Sequence, residues 1–436
     1  MLKTTKPRRL RLIICITLTA LMFVLLLRFW IQRRPVSLDD QNMSHCARLC
    51  PYKSTLGCNR LQFDPDHWVQ HFPEFVCPQN FRNLADWIIS WPDQFNEKVE
   101  TTTNDGRHIS PCLSNGSIVY VRIWAIDEFF KKIYPHLKSS FVLITGEGDV
   151  SSPSHLNYLE ESNSKIIHWF GQNGQFDVSR VKKFTHIPIG INCYEMASAI
   201  RGVHSQQSNH SSSQVFGDID EPLRYIQPLD VSYRIKNDIS LPESATGKLV
   251  LINFDKTTDG TGLRSQIWKD FCEVNESFPF VECFRKPTGV SISSLPSIYA
   301  RNRQYPFWLS PRGNGIDCHR TWEALYLDII PIVWNSSLNI LYEHLPVLII
   351  DDHRTLTEAF LQKKLQEITK KKLSASKPGT FYQYEKLRNA YWRHLIMKKS
   401  RYQAINMNSA REKHCWRATF KTPSSSLIFS LFRKWN

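Results

Sequence analysis

Between residues 117 and 350 the chain alternates short apolar runs with stretches in which apolar residues recur every three or four positions. Residues 117–121 (SIVYV) and 140–146 (SFVLITG) read as strands on either side of an amphipathic helix around residues 126–137. A second helix near residues 154–161 leads to strands at 165–170 (KIIHWF) and 184–191 (FTHIPIGI). Residues 204–214 (HSQQSNHSSSQ) are almost free of apolar side chains and predict a linker. Beyond it come strands at 248–254, 279–284, 307–310, 329–334 and 347–350, with helices at 263–274, 294–301 and 318–327 between them. This order predicts an α/β protein with parallel sheets. Two such units in succession predict two Rossmann-like domains facing a cleft.

The N-terminus follows another pattern. Residues 12–27 (LIICITLTALMFVLLL) are uninterruptedly apolar, and a snorkelling Arg28 lets Phe29, Trp30 and Ile31 extend the run. At ~1.5 Å per residue, residues 12–31 reach across a ~30 Å hydrocarbon core. Lys3, Lys6, Arg8, Arg9 and Arg11 precede the run, which predicts a cytosolic tail at 1–11 and a lumenal body. No small-residue cleavage site follows, so an anchor is expected rather than a removed signal peptide. The body then divides into a Cys-containing stem at 35–110 and an N-terminal Rossmann-like domain at 111–235. A C-terminal Rossmann-like domain at 246–380 and a basic helical segment at 381–436 complete it. Within that last segment residues 384–397 predict an amphipathic helix packing Leu387, Tyr391 and Leu395 inward.

Charge and cysteine content refine this picture. The formal net charge of +15 suggests nucleic acid until it is mapped. Residues 1–34 carry eight Lys or Arg and no acid, and residues 362–436 carry eighteen against three acids. The middle is therefore net acidic, which excludes a nucleic-acid stripe on the folded body. Sequons at Asn42, Asn115, Asn209, Asn275 and Asn335 all follow the anchor. Of 11 Cys, Cys15 lies in the apolar run and ten lie beyond it, an even set that suits disulfides in an oxidising lumen. Cys46, Cys50, Cys58 and Cys77 crowd the stem, with three possible pairings among themselves.

Candidate chemistry concentrates in residues 307–334, FWLSPRGNGIDCHRTWEALYLDIIPIVW. The pattern is strand, glycine-containing loop, helix, strand. Gly313 and Gly315 let backbone approach a phosphate, and the helix start near Asp317 offers free N–H groups. Arg312 and Arg320 can bind a diphosphate through charge-assisted bonds, and Asn314 lies between the glycines. Glu323 is placed to accept from ribose hydroxyls, or else to form an i,i+3 surface pair with Arg320.

The string SPRGNGIDCHRTWEALYLDIIPIV resembles the nucleotide-sugar segment of exostosin-like glycosyltransferases, including their ribitol xylosyltransferase branch. The match lies at Pro311, Arg312, Gly313, Asp317, Arg320, Trp322, Glu323, Ala324, Pro331 and Val333. Asp328 departs from it, standing where that family has a glycine at the helix C-cap. The resemblance implies a GT-B fold, a nucleotide-sugar donor (a UDP-sugar foremost), a glycan or glycoprotein acceptor, inversion, and no cofactor or required divalent metal. Donor contacts then fall on Arg312, Gly313, Asn314, Asp317, Arg320 and Glu323. Arg264, after Gly260-Thr261-Gly262-Leu263, looks similar to a basic residue that meets the diphosphate.

An inverting transfer needs a base for the acceptor hydroxyl. Asp149 is the first expectation and Glu147 the second, both in TGEGD after a strand, with His168 as a further option. Two other readings share these residues. A metal-dependent GT-A enzyme would use Glu147-Gly148-Asp149 or Asp218-Ile219-Asp220, and an inactive lumenal glycan-binding scaffold would keep the fold alone. The anchor and basic tail point to the Golgi membrane, with the endoplasmic reticulum as the alternative.

Overall fold

The computed structural model describes Met22 and residues 75–89, 110–111, 113–150, 155–193, 196–208, 247–273, 278–285, 292–374 and 382–401. The chain divides into two compact units, Met1–Arg48 and Leu49–Asn436. The span expected at 12–31 lies, Met22 apart, outside the described residues. Among those residues, no helix is long and apolar enough to cross a membrane.

Two five-stranded parallel sheets build the second unit. The first runs in order β1 (Trp87–Ile89), β2 (Ser117–Arg122), β3 (Phe141–Gly146), β4 (Ile166–Gly171), β5 (Phe184–His186). Each strand lies beside its predecessor, so the strand order never reverses. The second sheet contains β6 (Val250–Ile252), β7 (Val281–Cys283), β8 (Phe307–Leu309), β9 (Ile330–Trp334) and β10 (Leu348–Ile350), ordered β10-β9-β8-β6-β7. Its order reverses between β6 and β8, a topological switch point of the kind that opens a ligand crevice at the strand carboxyl ends.

Strict alternation along these strands sorts their side chains into three cores. Val250, Ile252, Phe307, Leu309, Ile330 and Ile332 face one way in the second sheet. They pack on Ile267, Trp268 and Phe271 of a helix at Leu263–Cys272, and on Leu361, Leu365 and Ile368 of a helix at Glu358–Ser374. Leu251, Trp308 and Val333 face the opposite way, into a central core shared with Ile118, Tyr120, Val142, Ile144 and Phe170 of the first sheet. The outer face of the first sheet carries Val119, Val121, Leu143 and Trp169, covered by the helical turns around Ile126 and Phe129.

Because the first sheet winds in one direction only, its inner face must be covered from elsewhere in the chain. Two distant segments help to do this. Phe75–Asn83, ending in a short helix at Pro78–Asn83, and the helix Asn389–Lys399 both contribute to the central core, through Phe75, Val76 and Phe81 and through Trp392, Ile396 and Met397. They meet in an antiparallel bridge between Phe75 and Arg388. Arg401 pairs with buried Asp86 at 2.5 Å, and the Arg401 N–H donates to Gly116 O at 2.8 Å.

Several boundaries differ from the sequence expectation. Residues 75–89 supply a strand, core residues and Cys77, which is bonded to Cys193, so they belong to the folded body rather than to a stem. Cys77 accordingly leaves the group of four stem cysteines; a second bridge joins Cys272 and Cys283. The linker expected at 204–214 begins later, because the helix Met196–Ser208 runs into it. β5 stops at His186, since Pro188 has no N–H to continue a ladder. The helix expected at 126–137 is a succession of short 3-10, α and π turns. The basic segment forms a 3-10 turn at Tyr384–Leu387 and then the helix Asn389–Lys399, burying Leu387, with Tyr391 and Leu395 packed against the same core.

Asp328 explains how the helix His319–Tyr326 ends without a glycine. It adopts φ +56, and the Ile329 and Asp328 N–H groups return to Ala324 O and Leu325 O at 2.8 and 3.2 Å. That is a Schellman termination with a non-glycine residue in the left-handed position. The Asp328 carboxylate is buried and pairs with Lys372 at 2.7 Å.

Candidate functional site

Carboxyl ends of strands from both sheets converge on one seam. From the first sheet come Gly146-Glu147-Gly148-Asp149 after β3, Gly171-Gln172-Asn173-Gly174 after β4 and Ile187–Gly190 after β5. The second sheet supplies Ser310–Cys318 after β8 and the start of the helix His319–Tyr326. Asn173 is the hinge pin between them. Its Oδ1 accepts from the Asp317 N–H at 2.8 Å and its Nδ2 donates to Gly148 O at 3.0 Å. A Cβ on Gly315 would come within 2.9 Å of that same Nδ2, so the close approach requires glycine.

Asp317 is wholly enclosed. Its carboxylate accepts from the Ile189 N–H at 2.7 Å, the Cys318 N–H at 2.9 Å, Trp322 Nε1 at 2.9 Å and Tyr342 OH at 3.2 Å. These partners fill its acceptor positions from within the protein. The next residue but one, His319, donates from Nδ1 to Gly190 O at 2.7 Å. Ser337 Oγ adds a donor to Gly174 O at 2.6 Å.

Glu147 and Asp149 lie one residue apart but in different surroundings. Glu147 has φ +60, a left-handed backbone uncommon outside glycine, and its N–H donates to Gln172 Oε1 at 2.9 Å. Burial raises its carboxyl pKa; His319, Arg122 and Arg82 oppose the rise and Asp149 adds to it. Asp149 is exposed and accepts from Asn314 Nδ2 at 3.3 Å. His168 stands apart in β4, paired with Thr185 Oγ1 at 2.8 Å, and burial with nearby Lys399 lowers its pKa to about 4.

The arginines also divide. Arg264 is buried, and its guanidinium joins both sides of the switch point. It donates to Arg312 O at 2.8 Å, Pro311 O at 3.2 Å and Asp255 O at 3.4 Å, and to Thr258 Oγ1. A Cβ on Gly313 would meet its Nη2 at 3.2 Å. Arg320, half-buried, stands over the rings of Phe254 and Trp308, at 5.7 and 6.0 Å from their centroids. Those residues follow β6 and belong to β8, so Arg320 overlooks the crevice itself. One Nη reaches Cys318 Sγ at 3.6 Å, and its Nε has no partner among the described residues. Arg312 is half-buried, with Nη2 donating to Asn314 O at 3.0 Å.

A cleft lies beside this helix start, lined by Ser310, Arg312, Thr321, Trp334, Asn335 and Ser336 among others. Glu323 does not line it. Its side chain is buried and accepts from Tyr299 OH at 2.8 Å, in a contact between helices. Among the described residues, no group of three or more His, Cys, Asp or Glu is placed to hold a metal ion. Gln172, Asn173 and His319 were not anticipated; the Gly-Gln-Asn-Gly string directly after a strand was the available signal for the first two.

No family model matches this chain, and no curated protein matches it. Solved structures resembling it include an α1,3-fucosyltransferase with GDP, at 13% identity and TM-score 0.33 over 65% of this chain and 79% of that one. An α1,3-fucosyltransferase with GDP-fucose aligns at 12% identity and TM-score 0.31, covering 69% and 98%. A third α1,3-fucosyltransferase structure aligns at 12% identity and TM-score 0.35, covering 78% and 89%.

Proposed function

We propose that this chain is a nucleotide-sugar-dependent glycosyltransferase, anchored in the Golgi membrane through residues 12–31 with its body in the lumen. The observation that carries the reading is Arg320, a half-buried cation that stands over Phe254 and Trp308 beside the carboxyl ends of β6 and β8. A sugar diphosphonucleotide in that crevice would meet Arg320, Arg312 and the helix start at His319, where Cys318 makes no side-chain cap bond. Arg264, Asp317 and Glu323 hold the loop and helix that present these groups. The resemblance of residues 310–333 to exostosin-like enzymes favours a UDP-sugar donor, a glycan or glycoprotein acceptor and inversion.

Glu147 is the base in this reading, in preference to Asp149. Burial weakens it as an acid, which makes its carboxylate the more willing proton acceptor near neutrality. The acceptor O–H gives its proton to Glu147 as the oxygen bonds to the anomeric carbon. The anomeric carbon–oxygen bond to the diphosphate breaks on the opposite side, and the charge left there is met by Arg320 and Arg312.

Thermal denaturation of the full chain against a panel of UDP- and GDP-sugars tests the donor site. A ligand at 100 times its Kd stabilises by about 2.7 kcal/mol, so a true donor raises the midpoint measurably. The expected result is a shift with one nucleotide class, lost in Arg320→Ala. No shift with any member of the panel would overturn the proposal.

A further inference from the structure

Trp124 is 60% exposed, an unusual position for the largest apolar side chain. It belongs to the 3-10 turn Ile123–Ala125 that directly follows β2, at the same sheet edge as Glu147. Its neighbours Ile123, Ala125 and Ile126 are buried, so the turn is firmly seated while the indole projects. One edge of the indole rests on Gly148. A Cβ there would lie 2.6 Å from Trp124 Nε1 and 2.5 Å from Ile123 Cγ2, so the glycine between Glu147 and Asp149 makes room for the ring. Val150, two residues after Gly148, is also exposed at 38%.

An isolated exposed aromatic needs no explanation, but this one is held in place, and charged residues neighbour both it and the Gly148 it rests on. Asp149 presents an exposed carboxylate, and Arg122, half-exposed, precedes the Trp124 turn and reaches Glu147 O from Nε at 3.4 Å. An apolar plate rimmed by a carboxylate and a guanidinium matches a pyranose ring, which has a face of C–H groups and a rim of hydroxyls. Building on the transferase reading, we propose that Trp124 is the platform on which a pyranose of the acceptor glycan stacks. It would lie beside Glu147, with Asp149 and Arg122 taking its rim hydroxyls.

Saturation-transfer NMR on the full chain tests this with methyl pyranosides of glucose, galactose and N-acetylglucosamine, and separately with UDP and GDP. The expected result is saturation of C–H protons on one ring face of at least one pyranoside. Trp124→Ala should weaken that signal by roughly two- to tenfold, the range one aromatic stacking contact accounts for. Trp124→Phe should keep most of it, and nucleotide signals should persist in both variants, which shows that they are folded. Undiminished pyranoside signal in Trp124→Ala would overturn the platform. So would loss of nucleotide rather than pyranoside signal, or transfer to an unglycosylated peptide alone. Absence of nucleotide signal in the wild type would count against the transferase reading and leave the pyranoside result to be judged by itself.

Discussion

Arg264 and Arg320 both approach the sulfur of Cys318, at 3.5 and 3.6 Å, yet replacing them should have opposite consequences. Arg264→Ala removes donors from three backbone carbonyls and one hydroxyl at a buried position. Each charge-assisted bond nets about 1.5–3 kcal/mol, and water entering the vacated space recovers part of that. A loss of roughly 3–5 kcal/mol follows, or a fall in Tm of about 10 °C at the ~2–4 °C per kcal/mol expected for domains of this size. Arg320→Ala removes one long contact to sulfur and two distant ring contacts. Cation–π contacts at partly exposed sites are worth about 0.5–1 kcal/mol each, so losing the two should lower its Tm by about 5 °C at the same conversion.

Turnover should rank the two variants the other way relative to stability. If Arg320 meets the leaving diphosphate, its loss costs about 2–4 kcal/mol of transition-state stabilisation, or two to three orders of magnitude in rate. Differential scanning calorimetry and donor turnover on the same preparations separate the roles. A stable but slow Arg320→Ala beside an unstable Arg264→Ala is the expected pattern. Equal Tm losses in the two variants, or near-wild-type turnover in Arg320→Ala, would refute the division of labour and with it the placement of the donor.

That division was not legible in the sequence, and the reason is geometric. Both arginines are near the start of a helix after a glycine-containing loop, and only the three-dimensional crossing at the switch point turns one into a strut. Glu323 is a parallel case. Its position one turn after Arg320 fits a ribose contact or a surface pair, but the helix face carrying Glu323 is the one packed against Tyr299. The sheets were more accessible. Strands buried on both faces form continuous apolar runs, so nine of the ten were found, eight of them within two residues of the observed bounds and β5 overrun to residue 191. β1 escaped because it is three residues, Trp87-Ile88-Ile89, within a cysteine-containing stretch. The choice between Glu147 and Asp149 depended on backbone conformation. φ +60 and the bond to Gln172 accompany the burial of Glu147, and neither is encoded in the spacing of the acids.

Three further outcomes are expected. Glu147→Gln should abolish transfer while leaving nucleotide binding intact, as seen by titration calorimetry. Because burial raises the Glu147 pKa, the folded state holds that proton more tightly than the unfolded chain, so the wild type loses stability as pH rises from the ordinary glutamate range through the raised value. Glu147→Gln should therefore have the higher Tm at neutral pH and the advantage should vanish in acid; a lower Tm at pH 7 would contradict the assignment. Cys193→Ser opens a bridge of sequence separation 116 that fastens Cys77 to the body, and should cost about 5 kcal/mol by loop entropy, measured by urea denaturation. Asp328→Gly sets two effects against each other at the end of the helix that carries Arg320. Glycine relieves a left-handed backbone that costs a non-glycine residue about 1 kcal/mol. It also strips the partner from Lys372, whose side chain is only 10% exposed, and breaking a buried pair costs about 3–5 kcal/mol. Loss of the ion pair outweighs the backbone relief, so Asp328→Gly should be about 2 kcal/mol less stable than wild type. Adding Lys372→Met should recover that loss, because no buried charge then remains unpaired. A Gly variant more stable than wild type on its own would show that the ion pair contributes nothing, and that Asp328 is merely a tolerated substitute for glycine.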